Sequence, residues 1–313
     1  MSHSRALALM ILVTLLWSLA GVVTRHLDVA RSFEVTFWRS AFNALALALA
    51  LSWLRGPALW RGLLASPRVV WVSALCWAIM FTAFMVAITL TTVANVLVTM
   101  AFGPLMTALF ARVFLHHRLA RRTWLAIFVA ALGIGAMFAH EAATGSSLLG
   151  TLVALLVPLA AAVNFTTLQH VNHGAADPDD ADGVPTQDML PAVLIGALLS
   201  ALVTLPLAWP LQASRHDLGL LAGLGVFQLA VPCLLVVRLS RVLAAPEIAL
   251  LGMLEVIFGV TWAWLGAGEQ PSSATLAGGA LVLGALLANE LLALRSRRAD
   301  TVKTSPPMVN TEY

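Results

Sequence analysis

Charge is scarce in this chain. Asp, Glu, Lys and Arg make up 11% of its 313 residues, against about 25% in ordinary soluble domains. With 60% hydrophobic residues and a mean hydropathy of +0.91, a soluble globule of this size would have nowhere to hide its apolar surface. There are two cysteines, Cys76 and Cys233, each inside an apolar run, so a disulfide framework is excluded and no thiolate metal site is in view. Alternating polar and apolar residues are also lacking, and that excludes a membrane β-barrel. No small-residue cleavage site follows the first apolar run, which is read as a helix and not as a secretory leader.

What is present is apolar length. A spanning helix needs about 20 apolar residues, and candidate runs lie at 6–24, 35–54, 69–90, 93–115, 123–138, 148–168, 189–209, 218–239, 248–265 and 275–294. The expected fold class is an all-α integral membrane protein of ten transmembrane helices. Five helices per half is an odd number, so two halves of like fold would sit in opposite orientations. Such inverted repeats build many carriers, with a binding site where the halves meet. A shift of 152 residues lays helices 3–5 on helices 8–10, placing Ala78 on Ala230, Ala111 on Ala263 and Thr123 on Thr275. The same shift sets Asn95 against Glu247, Gly103 against Glu255 and His117 against Glu269, so the halves differ most at polar positions.

The basic residues set orientation. With the N-terminus inside, fourteen of the eighteen fall at cytoplasmic ends, and only Arg25, Arg31 and Arg215 fall outside, with Arg39 inside helix 2. That asymmetry is the positive-inside pattern and puts both termini in the cytoplasm. It accounts for the net charge of +3 without a nucleic-acid partner. Residues 171–188 carry five aspartates and no Lys or Arg. They begin like a calcium loop, but Ala181 and Asp182 stand where a ligand and the required glycine belong, so the segment reads as a solvated linker. The tail, residues 295–313, reads as disordered.

Polar groups at membrane depth are costly, and a charge there is a functional candidate. In helix 2, Thr36, Arg39, Ser40 and Asn43 form one stripe at helical spacing. Helix 1 offers Thr14, Trp17, Gly21 and Thr24, helix 4 Asn95 and Thr99, helix 6 Asn164, helix 8 Gln228, and helix 9 Glu255 and Trp262. Arg39 admits two readings, an anchor snorkelling to the outer interface or a site residue. Glu255 is either a functional carboxylate or a protonated acid bonded to a neighbouring helix. Glu247 reads as an interfacial cap and Glu290 as a partner for a basic tail residue. Pro104, Pro158 and Pro232 are expected to interrupt helices 4, 6 and 8. Trp53, Trp60 and Trp71 flank span ends and suit an interfacial belt. The eight histidines fall at span ends, in loops or before helix 1, and no nucleophile–base or metal set lies at membrane depth. No enzyme is read from this chain, and no cofactor or metal is implied.

Two stretches carry a family resemblance. Residues 104–138, PLMTALFARVFLHHRLARRTWLAIFVAALGIGAMF, resemble the end of one EamA domain. Residues 225–287, GVFQLAVPCLLVVRLSRVLAAPEIALLGMLEVIFGVTWAWLGAGEQPSSATLAGGALVLGALL, resemble most of a second. A chain with two such domains resembles members of the drug/metabolite transporter (DMT) superfamily. The resemblance implies two repeats, residues 6–139 and 148–294, that export a small amino-acid-like metabolite across the inner or plasma membrane by alternating access. It departs from the family at Leu254-Glu255-Val256, where members often carry Leu-Glu-Pro, and at His116-His117, where they often carry Gly-Glu. Gly268-Glu269 keeps the second copy. On this reading Trp17, Arg39, Asn43, Asn95, Gln228 and Trp262 contact the solute, and Glu255 is the candidate proton carrier. The partners are the metabolite, the bilayer and protons, and the protein is expected to act as a monomer. The alternatives are import of the metabolite, or a receptor or scaffold that keeps the fold without flux.

Overall fold

The computed structural model describes residues 3–30, 32–56, 58–114, 120–144, 148–173, 189–239, 242–243 and 245–304. Where backbone crosses lipid, every N–H and C=O needs a partner within its own segment, which makes helix the outcome for runs this apolar. All regular structure among the described residues is helical: α1 His3–Thr24, α2 Ser32–Arg55, α3 Ala58–Leu64, α4 Arg68–Leu90, α5 Val93–Met100, α6 Gly103–Phe114, α7 Arg121–Thr144, α8 Leu148–Ala154, α9 Leu156–His173, α10 Leu190–Ala208, α11 Arg215–Gly223, a π-helical segment Leu224–Ala230, α12 Val231–Leu239, α13 Ala245–Ala267 and α14 Ser273–Thr304. Among the described residues, seven stretches are long and apolar enough to cross a membrane, three of them composite: Val93–Phe110, Leu148–Thr167 and Arg215–Leu239.

Those composites are the three runs in which proline was expected to interrupt the helix. The break between α5 and α6 falls at Ala101–Phe102, just before Pro104, and that between α8 and α9 at Leu155, three residues before Pro158. Pro lacks the N–H that would bond four residues back and its ring crowds that carbonyl. Before Pro232 the chain adjusts differently: the N–H of Val231 reaches five residues back to the carbonyl of Val226, giving a π-helical turn. Two features depart from the sequence reading. The short α3 was not expected, and α14 runs on as helix to Thr304 where composition pointed to disorder from 295. The acidic linker at 174–188, His116-His117, the side chains of Glu247 and Glu290, and residues 305–313 lie outside the described residues.

The halves interleave. α2 packs on α10 and on the π segment, α4 on α10 and on α8–α9, α1 on α13 and α12, α6 on α9, α5 on α13, and α7 on α14. The α7–α14 crossing needs glycine: a Cβ on Gly133 would meet the carbonyl oxygen of Gly278 at 2.8 Å, and one on Gly278 would meet that of Gly133 at 2.7 Å. Leu, Val and Trp side chains cover the outside, with Trp53 at 87% exposure, while the buried positions form apolar clusters between the helices. For a bundle in lipid this outward apolar surface is the wetted one.

Candidate functional site

The helix 2 stripe faces inward. Thr36, Ser40 and Asn43 are fully buried and Arg39 is 2% exposed. Arg39 therefore does not snorkel. Its Nε donates to Oε1 of Gln228 at 3.1 Å, and its guanidinium lies 5.6 Å from the ring centroid of Phe84. Gln228 in turn donates through Nε2 to the carbonyl of Trp17 at 3.1 Å, tying α1, α2 and the π segment together. Trp17 and Arg39 each stand seven residues from the Thr24 and Ser32 ends of their helices, about 10 Å deep at 1.5 Å per residue.

The π turn and a glycine make this contact possible. A Cβ on Gly225 would lie 2.8 Å from the carbonyl oxygen of Arg39 and 2.6 Å from the Cβ of Phe42, so the π segment rests directly on the α2 backbone. Behind the stripe, Ser40 shares a hydrogen bond with Ser200 at 2.8 Å, and Thr82 another with Ser200 at 2.9 Å, linking α2, α10 and α4. Glu255, half-buried, stands on α13, which packs against α1.

This constellation is incomplete as it stands. Nη1 of Arg39 and both side-chain polar atoms of Asn43, one turn along the same face, are buried without a hydrogen-bond partner. Nε1 of Trp262 on α13 is in the same condition. Among the described residues no carboxylate lies within ion-pair distance of Arg39. A buried cation without a counter-charge costs several kcal/mol, and an unsatisfied buried polar group about 1–3 kcal/mol. A buried guanidinium with an unmade hydrogen bond has the chemistry of an anion site.

The other sequence candidates go elsewhere. Asn95 lies in the first turn of α5, bonded through Nδ2 to Thr91 at 3.3 Å and accepting from the Thr275 hydroxyl of α14. It borders a separate cavity of about 420 Å³ at the end of the bundle where α1 ends and α5 begins. Trp17 meets Gln228 through its backbone carbonyl. Asn164 accepts from Ser73 at 2.6 Å and joins α9 to α4.

Sequence reasoning passed over Glu34 and Asp217 at that same end and named Glu269 without its partners. Glu34, 1% exposed, accepts the backbone N–H groups of Gln212 and Ala213, each at 2.7 Å. Asp217, fully buried, takes the N–H groups of Asp28 (2.8 Å), Val29 (3.1 Å), Ala30 (3.1 Å) and Ser214 (3.3 Å) and completes a capping box with Ser214. His216 and Asp28 stand beside it, but with its oxygens already holding these N–H groups Asp217 is a structural clamp and not a metal ligand. Arg25 pairs with Glu269 at 2.8 Å and donates to the carbonyl of Thr91 at 2.8 Å, while Glu269 also takes the N–H of Val93 at 2.6 Å. Only the capping pattern of Ser214 and Asp217 had a local signal; the remaining partners are 66 to 244 residues apart.

Known proteins share this architecture. A chain of known crystal structure superposes with a TM-score of 0.61 at 20% identity, covering 94% of this chain and 99% of its own, a likeness of fold alone. Two curated relatives are 25% identical over 261 residues, covering 82% of this chain and 84% of theirs: the pseudopaline exporter CntI of Pseudomonas aeruginosa strain UCBPP-PA14 and that of strain ATCC 15692. The model of the EamA-like transporter family matches residues 4–139. The apolar helices and this match agree with the resemblance read from the sequence, and residues 4–139 are a domain of the EamA-like transporter family within a multi-pass membrane protein.

Proposed function

We propose that this protein is a secondary transporter that exports a small, carboxylate-bearing, amino-acid-like metabolite across the inner or plasma membrane by alternating access. The observation that carries the reading is the buried, incompletely satisfied guanidinium of Arg39, framed by Gln228 and Asn43. A solute carboxylate supplies the counter-charge that Arg39 lacks, and Asn43 and Trp262 have polar atoms left over for the rest of the molecule. The relatives named as exporters support the outward direction.

The halves are residues 6–139 and 148–294, inverted in the membrane with both termini cytoplasmic. The packing supports this. Exchanging each helix for its equivalent in the other half turns the α4–α10 contact into that of α2 with the π segment, and the α1–α13 contact into that of α9 with α6. It leaves α2–α10 and α7–α14 as they are, as expected for helices facing each other across a dyad. Glu255, a half-buried carboxylate on α13, is the proposed proton carrier.

Counterflow in proteoliposomes with a pool of labelled amino acids and related metabolites tests the reading. One compound accumulates, and Arg39→Ala abolishes the accumulation while the protein still inserts. Equal counterflow by Arg39→Ala would remove that residue from the site. Glu255→Gln is expected to stop pH-driven uptake and to spare exchange; full pH-driven transport by that variant ends the proton assignment.

A further inference from the structure

The cavity bordered by Asn95 is separate from the Arg39 constellation, and its described lining residues are nearly all of polar type. Leu90 is the single aliphatic residue in a wall that includes Arg25, Thr91, Thr92, Asn95, Gln270 and Thr275. At about 420 Å³ it falls in the range of small-molecule sites, roughly 300–1,000 Å³. Among the described residues the wall contains the Arg25 guanidinium and the His140 ring and no carboxylate. Glu269 sits outside that lining and is held on Arg25 Nε at 2.8 Å and on the N–H of Val93 at 2.6 Å.

We infer that this cavity is a second, shallower binding site for a small carboxylate, in which the bound carboxylate takes Arg25 in exchange for Glu269. The exchange is energetically accessible. Arg25 and Glu269 retain side-chain exposures of 29% and 14%, and partly exposed ion pairs are worth roughly 0–1 kcal/mol. The exposed Gln270 amide on the wall supplies a donor and an acceptor for the neutral part of the ligand. Placing the cavity on the exit route rests on the export reading above; the anion chemistry does not.

The test therefore needs no flux. Gln270 is exposed and lines the cavity, and the native cysteines are buried, so a Gln270→Cys protein in nanodiscs reports on the cavity through thiol labelling, with the unsubstituted protein as blank. Two methanethiosulfonates of opposite charge are compared, one ending in sulfonate and one in trimethylammonium, each corrected for its rate with free 2-mercaptoethanol. The sulfonate is expected to react at least about tenfold faster, the lower end of what a charged cleft does to local ion concentration. Succinate is expected to slow labelling and neutral succinamide to leave it unchanged. In an added Arg25→Gln background both the sulfonate preference and the succinate protection disappear; in Glu269→Gln both increase. Faster labelling by the cation, or succinate protection that survives Arg25→Gln, overturns the proposal. Because labelling and counterflow are independent, loss of one leaves the other standing.

Discussion

Arg39 and Gln228 decide the chemistry of the core at the scale of single residues. Gln228 holds Arg39 through its oxygen and Trp17 through its nitrogen, so Gln228→Leu strands a buried guanidinium N–H at a cost of about 1–3 kcal/mol. A lowered thermal midpoint in detergent is the expected result. Gln228→Glu keeps the acceptor for Arg39, gives up the donation to the Trp17 carbonyl and adds a counter-charge where the solute carboxylate is proposed to bind. That variant is expected to insert and to lose counterflow. Normal transport by Gln228→Glu would show that Arg39 does not need to be free for its solute.

At the scale of elements, two local devices aim these side chains. The π turn before Pro232 places Gln228 against α2. Pro232→Ala restores an N–H that can bond four residues back, removing the reason for the wider turn. Counterflow is expected to fall while thermal stability holds or rises, a split that simple misfolding does not produce. The second device ends α13. Gly268 has φ +66°, the left-handed conformation in which glycine commonly ends a helix, and the next N–H, that of Glu269, bonds back to Ala263 at 3.1 Å. That turn delivers Glu269 to Arg25. Gly268→Ala forces a Cβ into the left-handed region at about 1–2 kcal/mol, and a lowered melting midpoint checks it.

Over the whole molecule, the end of the bundle where α1 ends and α5 begins is bound unevenly. Asp217 and Glu34, both buried, hold the α1–α2 turn and the start of α2 to the α10–α11 turn and the start of α11 through five backbone N–H groups. The α13–α14 turn is held by the half-exposed Arg25–Glu269 pair and the bond to Val93. Charge-assisted bonds to buried backbone are roughly twice as strong as neutral ones, whereas a partly exposed pair adds little. The α13–α14 side is thus the expected place of opening. Orientation is checked with single cysteines at two exposed positions, Gln212 and Ser4. An impermeant thiol reagent is expected to label Gln212→Cys in intact cells and Ser4→Cys after permeabilisation alone; the reverse pattern would invert the topology.

Composition and spacing were enough for the helical class, the places where proline breaks the helices and the polar stripe along α2, whose inward direction came from the packing. Those follow from the composition and spacing of neighbouring residues, which a linear reading contains. It also held the identity of Arg39 and Gln228, but not their contact, since the two are 189 positions apart and their meeting depends on how the halves pack. Asn95 shows the limit from the other side. Its residue type and depth made it a companion for Arg39, yet the α5–α14 packing joins it to Thr275 in a different cavity. The roles of Glu34, Asp217 and Glu269 were likewise decided by tertiary structure. Each takes its backbone partners from a distant segment, and no local pattern announces which N–H groups will converge on a carboxylate.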